Sequence, residues 1–320
     1  MPLLCSGPLA VPYPPTVLPS LFTIHHSAMK LKGFAAALLA AIFYGTNPLG
    51  TLQLYADGMN PSSVLVYRYA FATLMFLIWM VAKRESLTIK WGTAIRLAIL
   101  GTLMSMSSAT LYLSFRYMDA GVASTILFSY PIMVAVLMVV FYHEHLTWST
   151  TLCILMAVCG IALLYHGKGA VTLSTVGVTL VILSSLLYAF YIIGVNQTHT
   201  KLSPVKFTFW IVFFGLLALL VYTLFIGEPL EPLRTPLEWA SALQLALLPT
   251  VLSLYFINIA IEHIGSTPTA IMGAVEPVTA VCIGVCIFGE SFTLRLAIGI
   301  VLILFAVILL VLSREEKTEK

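Results

Sequence analysis

The chain has 320 residues, of which 60% are hydrophobic and only 9% are charged. Soluble domains carry roughly 25% charged residues because their surfaces face water, so a soluble globular protein is excluded. The net charge is only +3, and no cluster of basic residues of the kind that binds nucleic acid is present. We therefore predict an all-α integral membrane protein without a nucleic-acid partner.

The apolar residues are gathered into runs long enough to cross a membrane. A helix needs about 20 residues to span about 30 Å of hydrocarbon. Ten runs of this kind occur, at 33–52, 62–82, 96–115, 119–142, 147–166, 175–197, 205–226, 240–261, 265–288 and 292–312. They are continuously apolar rather than alternating, which favours helices over the strands of a membrane barrel. We predict ten transmembrane helices joined by mostly short linkers.

The N-terminal segment differs from the rest of the chain. Residues 1–28 contain no charged residue and are rich in proline, and they lack the basic region that opens a signal peptide. A second methionine, Met29, is followed by Lys30 and Lys32. We interpret residues 1–28 as a disordered tail or a mis-assigned start and exclude them from the predicted fold.

The positive charges between the runs predict the orientation of the chain. If the N-terminus is cytoplasmic, eleven Lys and Arg residues lie in cytoplasmic segments and four lie outside, with the intramembrane Arg68 set apart. Cytoplasmic loops of membrane proteins carry the excess of Lys and Arg. We therefore expect both termini in the cytoplasm.

The chain matches itself at an offset near 144 residues. Asn60-Pro61 precedes the second run of the first half, and Ser203-Pro204 precedes the second run of the other half. A longer series has identical spacing in both halves: Pro131, Glu144 and Thr147 against Pro277, Glu290 and Thr293. This pattern indicates an internal repeat.

Each repeat holds five predicted helices, which is an odd number, so the second repeat must enter the membrane upside down. We predict two inverted five-helix repeats, at residues 29–168 and 169–320, the second ending in a short cytoplasmic tail. Inverted repeats are common in secondary transporters, whose substrate sites lie near the bilayer midplane.

Four sequence patterns carry a resemblance to a known family. They are AIFYGTNP at 41–48, YRYAF at 67–71, Glu-Pro at 276–277 and Gly-Glu at 289–290. Together they resemble the drug/metabolite transporter superfamily, specifically its EamA type. The resemblance implies a ten-helix carrier in the bacterial inner membrane that often exports metabolites. The first half departs from the pattern, because Tyr130-Pro131 and His143-Glu144 stand where the family has Glu-Pro and Gly-Glu.

Glu276 is the first candidate for a functional residue. It lies at the middle of the predicted helix 265–288, where a charge costs at least about 2.5–3.5 kcal/mol unless water, a partner or a proton compensates it. Pro277 removes a backbone donor beside it and can open a kink. We expect Glu276 to bind a proton or a cation at the midplane. The alternative is a permanently protonated side chain that hydrogen-bonds between helices.

Arg68 is the second charged candidate. It lies six residues inside its predicted helix, a depth of about 9 Å, from which a long side chain can still reach the headgroups. Anchoring at the membrane surface and an electrostatic role in a cavity are both open. In the second case Arg68 attracts anionic substrates or balances Glu276.

The remaining candidates are amide and aromatic side chains that lie inside predicted helices. Amides can bind substrate or link helices, and aromatic rings with polar tips can line a ligand cavity or pack in the core. The candidates are Asn47, Asn196, Asn258, Tyr44, Tyr112, Tyr130, Tyr188, Tyr255 and Trp210.

Several chemistries find no support in the sequence. No Walker motif is present, and the only aspartates, Asp57 and Asp119, fall in predicted loops, which argues against ATP hydrolysis and intramembrane proteolysis. His143-Glu144-His145 lacks the spacing of a zinc-protease motif. Cys282 and Cys286 share one helix face, and we expect both to be buried by packing. We predict no metal, no cofactor and no enzymatic activity.

These observations favour a secondary active transporter that exports small organic metabolites or drugs by alternating access. Its energy would come from a proton gradient or from the gradient of the substrate itself. The alternatives are a flippase for lipid-linked substrates and a non-catalytic partner of another membrane protein. The expected partners of the transporter are a small-molecule substrate, membrane lipid and, as a candidate coupling ion, the proton. A monomer and a homodimer are both open.

Overall fold

The computed structural model describes residues 17–142, 148–165, 174–198, 202–264 and 272–318, together with Thr200 and Thr269. These residues form helices and connecting turns, and no strand occurs among them. The helices of the first half are α1 (Val17–Gly45), α2 (Asn47–Ala56), α3 (Pro61–Ala82), α4 (Trp91–Ser114), α5 (Ala120–Leu127), α6 (Tyr130–Tyr142) and α7 (Trp148–Tyr165). Those of the second half are α8 (Thr175–Gln197), α9 (Pro204–Ile226), α10 (Pro236–Ala246), α11 (Ser253–Ile264), α12 (Val275–Phe288) and α13 (Leu294–Thr318). A π-helical turn, Leu247–Leu252, joins α10 to α11.

Within the described residues, seven helical stretches are long and apolar enough to cross a membrane, and three further apolar helices are shorter. The prediction of an all-helical, multi-pass membrane protein is therefore confirmed. The first helix begins at Val17 rather than near residue 33. The interpretation of residues 1–28 as a disordered tail or a mis-assigned start stays a prediction, and residues 1–16 lie outside the described residues.

Local sequence signals explain where two helices begin. Helices α3 and α9 each start with a proline, whose missing N–H is not needed in the first turn. The Asn60 side chain accepts a hydrogen bond from the Ser63 N–H at 2.8 Å, and the Ser203 hydroxyl accepts one from the Lys206 N–H at 3.2 Å. Both residues therefore act as N-caps. The matched positions in the two chain halves thus have the same local structure.

Helices are interrupted at four places along the chain. The interruptions lie at Thr46, at Phe128-Ser129, at the π-helical turn and at Gly273-Ala274. A proline lies within or shortly after each of them: Pro48, Pro131, Pro249 and Pro277. Proline cannot donate a backbone hydrogen bond and disfavours helical geometry in the residue before it. Four of the predicted spans are therefore helical but not continuous.

The interruption before α12 changes the position of Glu276. This residue lies in the first turn of α12, and its backbone N–H donates to the Gly273 carbonyl at 3.0 Å. The prediction that Glu276 lies at the middle of an unbroken helix over 265–288 is therefore wrong. Its carboxyl group lies at a helix N-terminus, where the helix dipole favours negative charge.

The helices of the two halves interleave in a regular way. Helix α1 packs against α11 and α12, while α8 packs against α4 and α6. Helix α3 packs against α10, while α9 packs against α4. Three further pairs, α3 with α9, α5 with α12 and α7 with α13, join helices at matching places in the two halves. Most of the interior is therefore built between the halves rather than within either one.

Glycines allow the closest of these approaches. A Cβ atom on Gly101 of α4 would lie 2.6 Å from the Ile211 carbonyl oxygen and 2.9 Å from the Gly215 nitrogen of α9. A Cβ atom on Gly45 would lie 2.7 Å from the Glu276 carbonyl oxygen. Small residues let helix backbones approach closely in membranes, where packing rather than water drives association.

Glu290 ties the loop after α12 to the start of α5. Its carboxylate accepts hydrogen bonds from the Ala120 N–H at 2.7 Å and the Gly121 N–H at 3.3 Å. These N–H groups have no partner within their own helix, so the side chain acts as a cap from the other half of the chain. Burial raises the pKa of Glu290 most, and nearby Asp119 adds to the rise, while the two hydrogen bonds oppose it.

Candidate functional site

A cavity of about 200 Å³ lies between α1, α6, α8, α11 and the N-terminal turn of α12. Most of its wall is apolar and is formed by alanine, leucine and isoleucine side chains. Its polar and aromatic lining consists of Tyr44, Phe128, Tyr130, Tyr188, Ser253, Thr269 and Glu276. Each of these residues except Tyr188 lies within a few residues of a helix interruption, so the interruptions bring polar groups together at one depth.

Glu276 is the charged residue of this lining. Its side chain is half-buried, and no described residue forms a hydrogen bond or an ion pair with its carboxyl group. The nearest opposite charge that acts on it is Arg68, at longer electrostatic range. The carboxyl group therefore lines the cavity without a hydrogen-bond or ion-pair partner in the described part of the chain.

Three tyrosines surround this carboxyl group. The rings of Tyr130 and Tyr188 lie 4.7 Å apart between centroids and are nearly perpendicular, at 87°. Tyr44 lies within electrostatic range of both Glu276 and Arg68. Aromatic rings present a negative face and, in tyrosine, a polar hydroxyl. The cavity thus combines one acidic group with several electron-rich surfaces.

Arg68 belongs to a buried hydrogen-bond network that extends to the backbone of Tyr44. Its side chain is only 4% exposed. Its Nε–H donates to the Thr250 hydroxyl at 3.0 Å, and its Nη1–H donates to the Tyr112 hydroxyl at 2.7 Å. The Tyr112 hydroxyl donates in turn to Asn47 Oδ1 at 3.0 Å, and the Asn47 amide donates to the Tyr44 carbonyl at 2.8 Å.

This network bears on the two interpretations of Arg68. The side chain is held by α4 and by the π-helical turn in the interior of the helix bundle, which favours an electrostatic role over anchoring at the headgroups. Asn47 also has a defined place, because it links Tyr112 to the backbone of α1. The sequence pattern does not indicate that Thr250 contacts Arg68, because this contact depends on the π-helical turn.

Three of the predicted lining residues are not part of the cavity wall. Trp210 packs against Phe213 and Phe214 on α9, and its indole N–H has no hydrogen-bond partner in the described structure. Tyr255 is 40% exposed, and its ring packs against its neighbours rather than facing the cavity. Asn258 is exposed. These side chains lie on faces of their helices that point away from the cavity.

Other predictions concern residues whose side chains the structure does not describe. The side chain of Asn196 and residues 143–145 lie outside the described residues. In the described part of the chain, no group of three His, Cys, Asp or Glu side chains could hold a metal ion. Cys282 and Cys286 are exposed rather than buried, so the prediction of packed cysteines is wrong for this pair. Their shared face of α12 points outward, away from the other helices.

Comparison with known protein families gives a match over most of the chain. A family model described as the EamA-like transporter family matches residues 31–166 and again residues 175–312. The chain belongs to the EamA-like transporter family. It is therefore a membrane transporter of the EamA family, as the sequence patterns at 41–48 and 276–277 implied.

Individual relatives extend this result. An uncharacterized transporter of Synechocystis sp. is 30% identical over 212 residues, which cover 66% of this chain and 64% of that protein. An uncharacterized transporter of Archaeoglobus fulgidus is 24% identical over 277 residues, or 87% of this chain and 95% of that protein. One crystal structure covers 91% of this chain and 98% of its own, with a TM-score of 0.61 and 16% identity. That likeness concerns the fold alone.

Proposed function

We propose that this EamA protein is a secondary active transporter that exports small organic molecules by alternating access. The observation that carries the proposal is the Glu276 carboxyl group, which faces a cavity at the helix interruptions without a partner among the described residues. An intramembrane carboxyl group of this kind marks a proton or substrate pathway by default. We assign Glu276 the role of coupling group, with the proton as coupling ion.

The proposal includes an architecture of ten spans in two inverted repeats, at 29–168 and 169–320. Two observations support it. The EamA family model matches the chain twice in succession. Several helix contacts also have counterparts when the two halves are exchanged, as the contact of α1 with α11 has in the contact of α8 with α4. Sites at the interface of inverted repeats, formed by discontinuous helices, are the usual arrangement in secondary transporters.

The proposed orientation places the open half of the cavity toward the cytoplasm of the bacterial inner membrane. With a cytoplasmic N-terminus, the first span runs outward and the eighth span runs inward. The lining residues from Ala37 to Tyr44 come before the interruption of the first span, and those from Ser253 to Ile261 come after the interruption of the eighth span. All of them then lie in the inner half of the membrane. The contacts of Arg68 with Tyr112 and Thr250 lie on the outer side of the cavity and close it there.

The cycle follows from these placements. Substrate enters the cavity from the cytoplasm while Glu276 is ionised and the outer contacts are formed. Opening to the outside requires the helices around Arg68 to separate. In the outward-open state the substrate leaves, and a proton from the outer solution neutralises Glu276. Return of the empty cavity to the cytoplasmic side then releases this proton inside. A neutral carboxyl group crosses the hydrophobic interior at lower cost than a charged one, which couples proton entry to export.

Export and the role of Glu276 are tested by untargeted mass spectrometry of the growth medium. Cells that produce the native chain are compared with cells that produce Glu276→Gln, which keeps the shape of the side chain and removes its charge. Glu262→Gln is the matched control, because Glu262 is an exposed carboxylate outside the cavity lining. We expect a compound that accumulates with the native chain and with Glu262→Gln but not with Glu276→Gln. Equal accumulation with all three chains would remove Glu276 from the mechanism.

A further inference from the structure

We propose that the cavity of this transporter selects small organic cations, such as amines or quaternary ammonium compounds with an apolar body, and that Glu276 is their counter-ion. This inference rests on the proposed transport function and adds a class of substrate to it. Four features of the cavity lead to it: its charge, its aromatic lining, its size and the isolation of Arg68.

The charge of the lining has one sign. Glu276 is the charged side chain among the cavity-lining residues that the structure describes, and no described side chain compensates it at short range. A buried charge is tolerated when an opposite charge or a metal accompanies it. A cationic ligand supplies that opposite charge, whereas an anionic ligand would place two negative charges in one small cavity.

Arg68 does not reverse this preference. It is buried, and it is not among the residues that line the cavity. Two of its N–H groups are engaged by Thr250 and Tyr112. A ligand in the cavity therefore contacts the carboxyl group directly and meets the guanidinium group only at a distance.

The aromatic residues favour the same class of ligand. Tyr44, Tyr130 and Tyr188 line the cavity with Glu276, and the Tyr130 and Tyr188 rings form a corner with an angle of 87°. Cations are attracted to the faces of aromatic rings, and quaternary ammonium groups are recognised by aromatic cages. Two rings that line the same cavity as a carboxyl group therefore favour a cation over a neutral or anionic ligand.

The volume limits the size of the ligand. About 200 Å³ is smaller than the roughly 300–1,000 Å³ of pockets that hold drug-sized molecules. The rest of the wall is aliphatic and suits an uncharged, apolar body. We therefore expect one charged nitrogen on a small apolar group rather than an extended polycation.

Direct binding to the purified full-length protein in lipid nanodiscs tests the inference. Three probes of similar size differ in charge: benzyltrimethylammonium, benzyl alcohol and benzoate. Binding is measured at about pH 9, where the carboxyl group is ionised, with empty nanodiscs as the blank. We expect the cation to bind the native chain and Glu262→Gln alike, and about tenfold or more tightly than the other two probes. Glu276→Gln should lose about tenfold or more of the affinity for the cation alone.

A second variant tests the aromatic contribution. Tyr188→Leu keeps an apolar side chain but removes a ring face, and we expect a several-fold weaker affinity for the cation. Thermal unfolding of each variant in the same nanodiscs verifies that it is folded. Tighter binding of benzoate, affinity for the cation that Glu276→Gln does not change, or no binding of the cation to the native chain would each overturn the inference.

These outcomes are separable from a failure of the proposed function. If benzoate binds and export still depends on Glu276, the transporter stands and the cationic class fails. If the cation binds through Glu276 but no compound is exported in cells, the class of ligand stands and the export function fails.

Discussion

At the scale of single residues, the hydroxyl group of Tyr112 holds together three helices and a buried charge. It accepts a hydrogen bond from Arg68 on α3 and donates one to Asn47 on α2, while Tyr112 itself belongs to α4. Tyr112 is fully buried, so water does not replace a lost partner. Hydrogen bonds to charged groups contribute more than neutral ones, and a buried donor left unpaired is costly.

Tyr112→Phe removes this hydroxyl and leaves the ring in place. We expect a loss of about 1–2 kcal/mol in the free energy of unfolding, because Arg68 and Asn47 each lose a partner. Thermal unfolding of the purified protein in detergent measures the effect as a lower Tm. Tyr117→Phe is the control, because Tyr117 is 43% exposed and lies in the turn after α4. Equal Tm values for the two variants would contradict the structural role of the network.

At the scale of helices, the contact between α4 and α9 depends on the absence of a side chain. Gly101 lies against backbone atoms of Ile211 and Gly215, which cannot move aside as a flexible side chain can. Gly92 lies in the same helix, and a Cβ atom added there would meet nothing within 4 Å. The two glycines therefore differ in packing while they share a helix.

This difference predicts opposite effects of one substitution. Gly101→Ala should lower the free energy of unfolding by about 1–3 kcal/mol, because the added methyl group forces α4 and α9 apart. Gly92→Ala should be neutral or stabilising by less than about 1 kcal/mol, since alanine favours helices over glycine. Tm values and the fraction of monodisperse protein in detergent measure both. A Gly101→Ala chain as stable as Gly92→Ala would show that the two helices are not in close contact.

The helices themselves were predictable where an apolar run of sufficient length contains no internal proline. The predicted spans 62–82, 175–197 and 205–226 coincide with α3, α8 and α9 to within one residue at each end. The interruptions were not predictable, because a proline in an apolar run indicates a kink without stating whether the helix stops. Glu276 was therefore recognised as a functional candidate but placed in the wrong local structure.

The composition of the cavity wall was predictable only in part, for a related reason. An aromatic residue in an apolar run has the same hydropathy whether it faces lipid, another helix or a cavity. Tyr44, Tyr130 and Tyr188 line the cavity, while Trp210 and Tyr255 do not. The choice among these faces is made by packing between helices that are distant in sequence, which periodicity within one helix does not encode.

At the scale of the whole molecule, the network around Arg68 lies outside the cavity wall and is joined to it by the hydrogen bond from Asn47 to the Tyr44 carbonyl. In the proposed orientation this arrangement is a transporter closed toward the outside. In that orientation Asp57, which follows α2, lies on the outer side, and Leu87, in the loop after α3, lies on the inner side. Both residues are exposed. Ala41 lines the cavity and is otherwise buried.

Single cysteines at these three positions, in a chain whose five native cysteines are replaced, test orientation and closure together. A membrane-impermeant maleimide is applied to intact cells and to inside-out vesicles. We expect Asp57→Cys to react in cells only, and Leu87→Cys and Ala41→Cys to react in inside-out vesicles only, because the contacts of Arg68 block the outer route. Reversed labelling of Asp57→Cys and Leu87→Cys would overturn the orientation. If Ala41→Cys is labelled in intact cells, and adding Tyr112→Phe does not increase that labelling, the Arg68 network is not the outer closure.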